Sequence, residues 1–502
     1  MNMNDNIRKE VKIVYHVECI DVRKGHPMFE YCDSITAWSK NMYNVANYHI
    51  RNVMTGLKKS PEERTANEEE VLKTVFDALK AVNSKRVSKG KKPFELPTPE
   101  KWFLNYYALN AVFKEINNID YRSGPVHTMQ NSIRDCCEAW NGYFSALKAY
   151  QSNPEQFTGK PKIPGYVKSP HRVAVISNQE STVKLDSLSF PKATRRFNVS
   201  ALPHASTDKL IEIRINPYFD LYQIQIVTDD GIPEQSLEDI TVKDGACMID
   251  FGLENFAAIV DNKGNAPIVI KGGAIKSVNQ FYNKETAKLR SILMKGHDPK
   301  TYRFPTTKRM NGISRKRDAK LRDLFYKIAH RICRICEDRG LRLIICGKNP
   351  DQKRGIELGH KNNQEFVQIP FERFFQILRT VAVKYKLRVV EQEESYTSKA
   401  SFLDQDYIPV YGTEEADTEV FSGRRTKRGM YRAKDQTVLN ADVNAAANIG
   451  RKYDPEAFSS LSDFGFLSRT VERLSVRSLN PIVRKVTAVK SGRGPVSGQS
   501  AC

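Results

Sequence analysis

The order of buried strands and helices from residue 246 onward limits the possible folds more than any other feature of this chain. ACMIDFG is an apolar run that predicts a buried strand, and FAAIVDNKGNAPIVIKGG predicts a hairpin around an Asn-Lys-Gly-Asn turn. A long basic helix follows. After it come a strand (LRLIICGKN), a helix (FERFFQILRTVAVKYK), a strand (LRVVEQEE) and an Ala-rich helix (NADVNAAANIGRKY). The predicted order is therefore β-β-β-α-β-α-β-α.

A sheet that begins with a meander of three strands and ends with a helix is typical of an RNase H-like domain. In that fold the first strand and a late helix present carboxylates at the same edge of the sheet. Asp250 ends the first predicted strand, and Asp442 lies in the first turn of the Ala-rich helix. Taken alone, Asp250 suits a strand end and Asp442 suits the helix dipole. In this strand order the two together predict an acidic centre.

An acidic centre of this kind suits hydrolysis of a phosphodiester with two Mg²⁺ ions about 3.5–4 Å apart. Hard cations need several oxygen ligands from separate segments. The fourth strand ends in CGKN (346–349) without a carboxylate, so the available donors are Glu391, Glu393 and Glu394 on the fifth strand. Alternation places Glu391 and Glu393 on one face and Glu394 on the other. The residues alone leave all three glutamates as candidates for the third acid.

The excess of basic residues indicates a polyanionic partner. The chain has 79 Lys and Arg against 58 Asp and Glu, a formal charge of +21, and phosphate contacts by basic side chains release counterions. No apolar run is long enough to span a bilayer and the start lacks a signal-peptide core, so we expect a cytoplasmic protein without a membrane partner. The nine cysteines include only one CxxC, Cys333 and Cys336, so we expect no structural zinc.

The chain before residue 246 predicts a different architecture. Residues 10–21 alternate like a strand, whereas residues from about 29 to 150 have the apolar spacing of amphipathic helices. A stretch rich in Gly, Pro and Lys (153–170) predicts a basic linker. The short strands that follow (TVKLDSLSF, RRFNVS, LIEIRIN and YQIQIVTDD) predict a small antiparallel sheet or barrel, which the strand near residue 15 joins.

Seven motifs resemble, in order, those of the TnpB/OrfB proteins of bacterial insertion sequences, from which the compact type V CRISPR effectors descend. They are WSKNMYNVANYHIRNV, GKPKIPGY, MIDFGLENFAAI, IICGKNPDQKR, FVQIPFERF, EESYTSKASFLD and LNADVNAAANIGRK. The resemblance runs from about residue 11 to 452. It implies an α+β multidomain protein with an RNase H-like (RuvC) nuclease domain, a wedge-type β-barrel and a helical recognition lobe.

The resemblance also implies an RNA-guided, Mg²⁺-dependent DNA endonuclease of prokaryotic, nucleoid-associated type, with Mn²⁺ as a substitute ion. Its partners are a guide RNA, from a transposon or a CRISPR array, and double-stranded target DNA. Asp250 and Asp442 are then the first and last metal-binding acids, and Glu393 or Glu394 is the middle one, with a slight preference for Glu393 because strand alternation groups it with Glu391. The implied domains are 1–28 (first strand of the barrel), 29–170 (recognition lobe and linker), 171–243 (rest of the barrel), 244–452 (nuclease domain) and 453–502 (basic tail).

Two features depart from the family pattern. Relatives carry a CxxC…CxxC zinc ribbon after the Tyr-Thr-Ser motif, whereas residues 347–501 lack cysteine. We therefore expect a cysteine-free target-loading insert without bound zinc at about 397–436. The more common branch has a Glu on the fourth strand, where this chain has Gly-Lys-Asn. Loss of that acid leaves open a nuclease-inactive, RNA-guided DNA-binding repressor. An RNase H-class transposase is the third alternative.

Basic residues in several regions are candidates for nucleic-acid contacts. GRRTKRGMYR (423–432) suits contacts to backbone phosphates, although such a run can also be a solvated charged surface. The basic helix at 308–331, and Lys348 and Lys353 near the sheet edge, can likewise contact phosphates or form a solvated charged surface. The candidate residues are Lys40, Arg51, Lys308, Arg309, Arg315, Lys316, Arg317, Lys348, Lys353, Arg424, Arg425 and Arg428.

Overall fold

Helices and sheets of both units make this an α+β multidomain chain, as the sequence predicts. A computed structural model describes residues 13–154, 157–193, 196–233, 237–298, 301–302, 306–348, 369–410, 419–427 and 429–475. The chain divides into one compact unit of residues 1–234 and 306–312, and another of residues 235–305 and 313–502. Within the described part, no helix is both long and apolar enough to cross a membrane.

Two antiparallel sheets form the β-structure of the first unit. The larger sheet has the order β1-β7-β6-β2, and the smaller sheet has the order β3-β4-β5. Since β1 pairs along its length with β7, residues 13–22 share a sheet with residues 221–233. The strands are β1 (Ile13–Val22), β2 (Ala174–Ser177), β3 (Val183–Lys184), β4 (Ser187–Leu188), β5 (Phe197–Asn198), β6 (Lys209–Tyr218) and β7 (Leu221–Pro233).

Amphipathic helices form the rest of the first unit. Their apolar faces enclose a core around Phe113 and Trp140, whose indole N–H donates to Asn47 Oδ1 at 3.0 Å. Thr65 caps one helix by accepting from the backbone of Glu68, as expected for a capping box. The helices are α1 (Phe29–Gly56), α2 (Ala66–Val87), α3 (Tyr106–Glu115), α4 (Ile119–Ser123), α5 (Val126–Ser152) and α6 (Pro203–Thr207).

A six-stranded mixed sheet organises the second unit, in the order β12-β11-β8-β9-β10-β16. β8, β9 and β10 form an antiparallel meander, and β11 and β12 continue the sheet in parallel beside β8. The strands are β8 (Ala246–Phe251), β9 (Asn255–Asp261), β10 (Ile268–Lys271), β11 (Leu343–Lys348), β12 (Arg388–Glu393) and β16 (Glu472–Leu474). The helices are α7 (Gly273–Leu293), α8 (Lys308–Asp338), α9 (Phe371–Lys384) and α10 (Ala441–Tyr453).

Each face of this sheet packs against different helices, and strand alternation decides which face a residue joins. Cys247, Ile249 and Phe251 of β8 lie in the core formed with α8 and α9. The intervening residues Ala246 and Met248 lie in the core formed with α10. Asp250 continues the second set, so β8 directs it to the α10 side of the sheet.

The chain beyond α10 remains in the second unit. Phe458, Phe466 and Leu467 are buried on the α10 side of the sheet, and β16 pairs in parallel with β10. Part of the segment that we expected to be a basic tail (453–502) is therefore a structural element as far as residue 474. The apolar residues of this part follow neither helical nor strand spacing, which is why the sequence pattern does not reveal it.

Candidate active site

Asp250 lies at the end of β8, where the strand is about to turn into β9. Gly252 permits this turn, since a Cβ there would lie 2.9 Å from the carbonyl oxygen of Asn255. Burial, together with the negative charges of Glu394 and Asp442, raises the pKa of Asp250 well above its ordinary value. Glu394, at the end of β12, and Asp442, on α10, therefore both lie close enough to Asp250 for their charges to act on its carboxyl group.

Asp442 is held in the first turn of α10 by its neighbours. Asn440 caps the helix by accepting from the backbone N–H groups of Asp442 and Val443 at 2.9 and 3.1 Å. Asn255 donates to Asp442 Oδ2 at 2.7 Å, and Arg425 lies 3.9 Å from Oδ1. The carboxylate is thus oriented toward the sheet by a neutral amide and is only weakly neutralised by a half-exposed guanidinium.

Glu394, immediately after β12, supplies the third acid. Val390 packs on the α10 side of the sheet, so alternation directs Glu394 to the same side as Asp250. Gly347 of β11 leaves the space for it. A Cβ at this glycine would lie 2.5 Å from Glu394 Oε2 and 2.5 Å from Ile449 Cδ1. The carboxylate of Glu394, which follows β12, therefore fills the space beside β11 that the absent side chain of Gly347 leaves open.

Glu393, which the sequence argument slightly favours, is engaged elsewhere. Its Oε2 accepts from Lys452 Nζ at 2.6 Å, and its Oε1 accepts from the Ser395 backbone N–H at 2.5 Å. Burial opposes its ionisation, but the ion pair with Lys452 and the bonds from Ser395 outweigh this and lower its pKa. Glu391 bonds to Lys348 and Arg379 at 2.8 and 2.7 Å on the α9 side. The structure thus brings Glu394, and not Glu393 or Glu391, to Asp250.

The three acids offer oxygen ligands from three separate elements. Among the described residues, only His16, His204 and Asp208 offer ligand atoms that all lie within 4.8 Å of one another. Carboxylates from three elements suit two hard cations that share them, since each ion then needs only some of the acids. The donor set, oxygen atoms with excess negative charge, fits Mg²⁺ or Mn²⁺.

Two buried asparagines of α10 support the site and are not apparent from the acidic pattern. Asn444 accepts from the Phe402 backbone N–H at 3.0 Å and donates to the Ala400 carbonyl at 2.8 Å. Asn448 donates to the carbonyls of Thr397 and Ala400 at 2.9 and 2.8 Å. The segment that follows Glu394 is therefore fixed to the helix that carries Asp442. The sequence signal is a pair of amides four residues apart within an Ala-rich helix.

The cysteine-free insert after Glu394 is held by carboxylates and by packing. Asp406 accepts from the backbone N–H groups of Ser401 and Ser422 at 2.7 and 3.0 Å. Asp404 accepts from the Lys434 backbone N–H at 2.9 Å, and the buried Tyr431 donates to the Lys399 carbonyl at 2.7 Å. These bonds join the segments that surround a small antiparallel sheet of β13 (Arg424–Lys427), β14 (Met430–Arg432) and β15 (Val438–Asn440).

The candidate nucleic-acid residues differ in how available their charges are. Arg424 and Arg425 are exposed on β13 near Asp442, and Lys308, Arg309 and Lys316 are exposed on α8. The remaining described candidates, all half-buried, make internal contacts: Arg51 with the Pro164 carbonyl, Arg317 with Asn279, Lys348 with Glu372 and Glu391, Lys40 with Asn41, and Arg315 with a neighbouring group. Lys353 and Arg428 lie outside the described residues.

Two family models match segments of the second unit. Residues 242–351 match the probable transposase family OrfB_IS605, and residues 371–449 match the Cas12f1-like TNB domain. The first segment contains Asp250 and Gly347, and the second contains Glu394 and Asp442. The resemblance to TnpB/OrfB proteins and to the compact type V effectors is therefore confirmed over these segments. No curated protein matches the chain.

Solved structures of type V effectors are similar to this chain at low scores. Cas12f1 in complex with sgRNA and target DNA is 12% identical with a TM-score of 0.29, and the match covers 86% of this chain and 98% of that one. AacC2c1 in complex with sgRNA and extended non-target DNA is 10% identical with a TM-score of 0.31, and the match covers 85% and 70%. At these TM-scores the likeness carries no conclusion.

Proposed function

We propose, from the confirmed resemblance to TnpB/OrfB proteins and compact type V effectors, that this chain is an RNA-guided DNA endonuclease. Its second unit is then an RNase H-like (RuvC) nuclease domain. The observation that carries the proposal is the convergence of Asp250, Glu394 and Asp442 from β8, the end of β12 and α10. The predicted domain limits and the predicted wedge-type barrel and recognition lobe stay predictions.

The acids are suited to hold two Mg²⁺ ions, with Mn²⁺ as a substitute. Bound there, the ions would supply an activated water and stabilise charge on the attacking and leaving oxygens. The protein's own contribution is positional. Asn255 and Asn440 fix Asp442, Gly347 admits Glu394, and the β8–β9 turn places Asp250. The repulsion that raises the pKa of Asp250 is the charge that divalent cations would offset.

Guide RNA and double-stranded target DNA are the proposed partners. The net charge of +21 supports a polyanionic ligand, and sequence recognition would come from base pairing with the guide. Arg424 and Arg425, exposed on β13, are suited to grip the phosphate backbone of the strand to be cut. Arg425 lies 3.9 Å from Asp442, which links this grip directly to the acidic site.

The test is cleavage and binding of target DNA by protein purified with its own RNA. Asp250→Ala, Glu394→Ala and Asp442→Ala should bind target and fail to cut it, whereas Glu393→Gln should retain cleavage. Omitting the RNA should abolish cutting by the wild type. Cleavage that survives at the wild-type rate in any of the three alanine variants would refute the site assignment.

The same assay separates the alternatives. A wild-type chain that binds target with RNA but does not cut with Mg²⁺ or Mn²⁺ is a nuclease-inactive binding protein. Joining of labelled transposon ends in the absence of RNA would instead identify a transposase. The close approach of Glu394 to Asp250 favours the nuclease, because it supplies the acid that the fourth strand lacks.

A further inference from the structure

A second cluster of ligand-type side chains lies in the first unit, between β1 and α6. His16 Nδ1 and His204 Nε2 are 2.9 Å apart, although the two residues are 188 positions apart in sequence. The other nitrogen of His204, Nδ1, is 2.9 Å from Asp208 Oδ2. All three residues are half-buried. The Asp208 carboxylate and the imidazoles of His204 and His16 thus form a row that connects α6 to β1.

The carboxylate determines which nitrogen of His204 is available. Asp208 accepts the Nδ1–H of His204, so in the neutral imidazole Nε2 carries the lone pair, and this atom lies 2.9 Å from His16 Nδ1. Burial opposes ionisation of Asp208, but hydrogen bonds from Thr207 and His204 outweigh it and lower its pKa. A carboxylate that fixes the tautomer of a histidine and increases the basicity of its free nitrogen is the usual support of a metal-binding histidine.

We propose that His16 Nδ1 and His204 Nε2 bind a divalent transition-metal ion of the zinc class, with Asp208 orienting His204. Imidazole nitrogens and a supporting carboxylate select such ions over Mg²⁺. Two tetrahedral Zn–N bonds of about 2.0–2.1 Å place their nitrogens about 3.3 Å apart. The observed 2.9 Å is about 0.4 Å shorter. The ring centroids lie 3.7 Å apart with the planes inclined by 54°, so the imidazoles must also rotate and separate before both lone pairs meet one ion. Water would complete the coordination.

The proposed ion would fasten the start of the first unit's sheet to its interior. Among the strands that the structure describes, β1 lies at the edge of that sheet, beside β7. Glu18, two residues beyond His16 on the same face of β1, already accepts from the Ala205 backbone N–H of α6 at 2.6 Å. The histidine pair adds a second link across the same junction. This site is independent of the proposed nuclease centre and does not rest on it.

The test measures metal binding by the full-length chain with its co-purified RNA and excess Mg²⁺. Zn²⁺ should bind with one more equivalent in the wild type than in His16→Ala or His204→Ala, and should raise the melting temperature only of the wild type. Asp208→Asn should weaken Zn²⁺ binding about 10–100-fold, as expected for a supporting carboxylate. His297→Ala, which removes an exposed histidine of the second unit, is the matched control and should bind like the wild type.

A spectroscopic measurement on the unmutated protein keeps the proposal testable if the alanine variants fail to fold. X-ray absorption of the Zn²⁺-loaded wild type should show nitrogen and oxygen ligands with imidazole scattering and no sulfur. Equal Zn²⁺ content and equal melting behaviour of the wild type and a folded His16→Ala variant would overturn the proposal. A first shell that contains sulfur would overturn it as well, since the ion would then reside on cysteines.

Discussion

Gly347→Ala is expected to damage the active site with little effect on target binding. The added Cβ would lie 2.5 Å from Glu394 Oε2 and 2.5 Å from Ile449 Cδ1. Reaching an ordinary contact of 3.4 Å requires a displacement of about 0.9 Å at one or both atoms. Ile449 is buried among its neighbours in α10, so the carboxylate of Glu394 is the group that yields.

Two magnitudes follow from this displacement. Overpacking at a buried position costs about 1–3 kcal/mol of unfolding free energy. A catalytic group moved by about 1 Å lowers the rate about 10²-fold, which is the larger effect for function. We therefore expect single-turnover cleavage by Gly347→Ala to fall about 10²-fold, while its affinity for target DNA stays near that of the wild type.

The assay compares cleavage rate and target binding in the same preparation. Gly142→Ala is the control, because a Cβ at that helical glycine meets no atom within 4 Å. Glu394→Asp shortens the side chain by one methylene, so the double variant Gly347→Ala/Glu394→Asp should lose less activity than the two single losses combined. Wild-type cleavage by Gly347→Ala, or losses that simply add in the double variant, would refute the reasoning.

Four further substitutions test other parts of the second unit. Lys452→Met should cost about 1.5–3 kcal/mol by leaving Glu393 without its ion pair. Urea denaturation at a series of pH values should show the whole difference in unfolding free energy above about pH 4.3, the ordinary pKa of a glutamate. The difference should decrease as the pH falls through the lowered pKa of Glu393, because the protonated carboxyl no longer needs an ion pair. Asp250→Asn should raise the melting temperature without divalent ions by removing repulsion from Glu394 and Asp442, and an unchanged or lower value contradicts this. Phe466→Ala should cost about 3–5 kcal/mol in urea denaturation, whereas Phe281→Ala, at an exposed phenylalanine, should cost far less. Asn448→Ala should cost about 1–3 kcal/mol, because two buried carbonyls lose their donor, and wild-type stability would argue against the proposed support by α10.

Sequence patterns predict the order of the strands and two of the candidate acids, Asp250 and Asp442. Asp250 and Asp442 follow from the ends of elements that are strongly apolar or Ala-rich, and such elements are easily located. The choice between Glu393 and Glu394 depends on which face of the sheet α10 covers. Alternation groups Glu393 with Glu391, which lies on the α9 side, whereas counting from Val390 on the α10 side selects Glu394. Glu393, at the end of β12, departs from the alternation and bonds to Lys452 of α10.

The features that the sequence does not reveal depend on contacts between distant segments. In the sequence, Gly347 stands where relatives carry a glutamate, so it indicates only that an acid is missing. The structure shows that the glycine leaves space for the carboxylate of Glu394. His16 and His204 are two ordinary residues until β1 and α6 meet. The same holds for residues 454–474, whose packing on the sheet depends on shape and not on a repeating apolar pattern.

The amides of α10 connect three parts of the second unit. Asn444 and Asn448 bind the segment after Glu394 to the helix that carries Asp442. Glu394 itself continues β12, and Asp442 accepts from Asn255 of β9, so both acids are also tied to the sheet that carries Asp250. The helix, the insert and the sheet therefore form one hydrogen-bonded framework around the three acids.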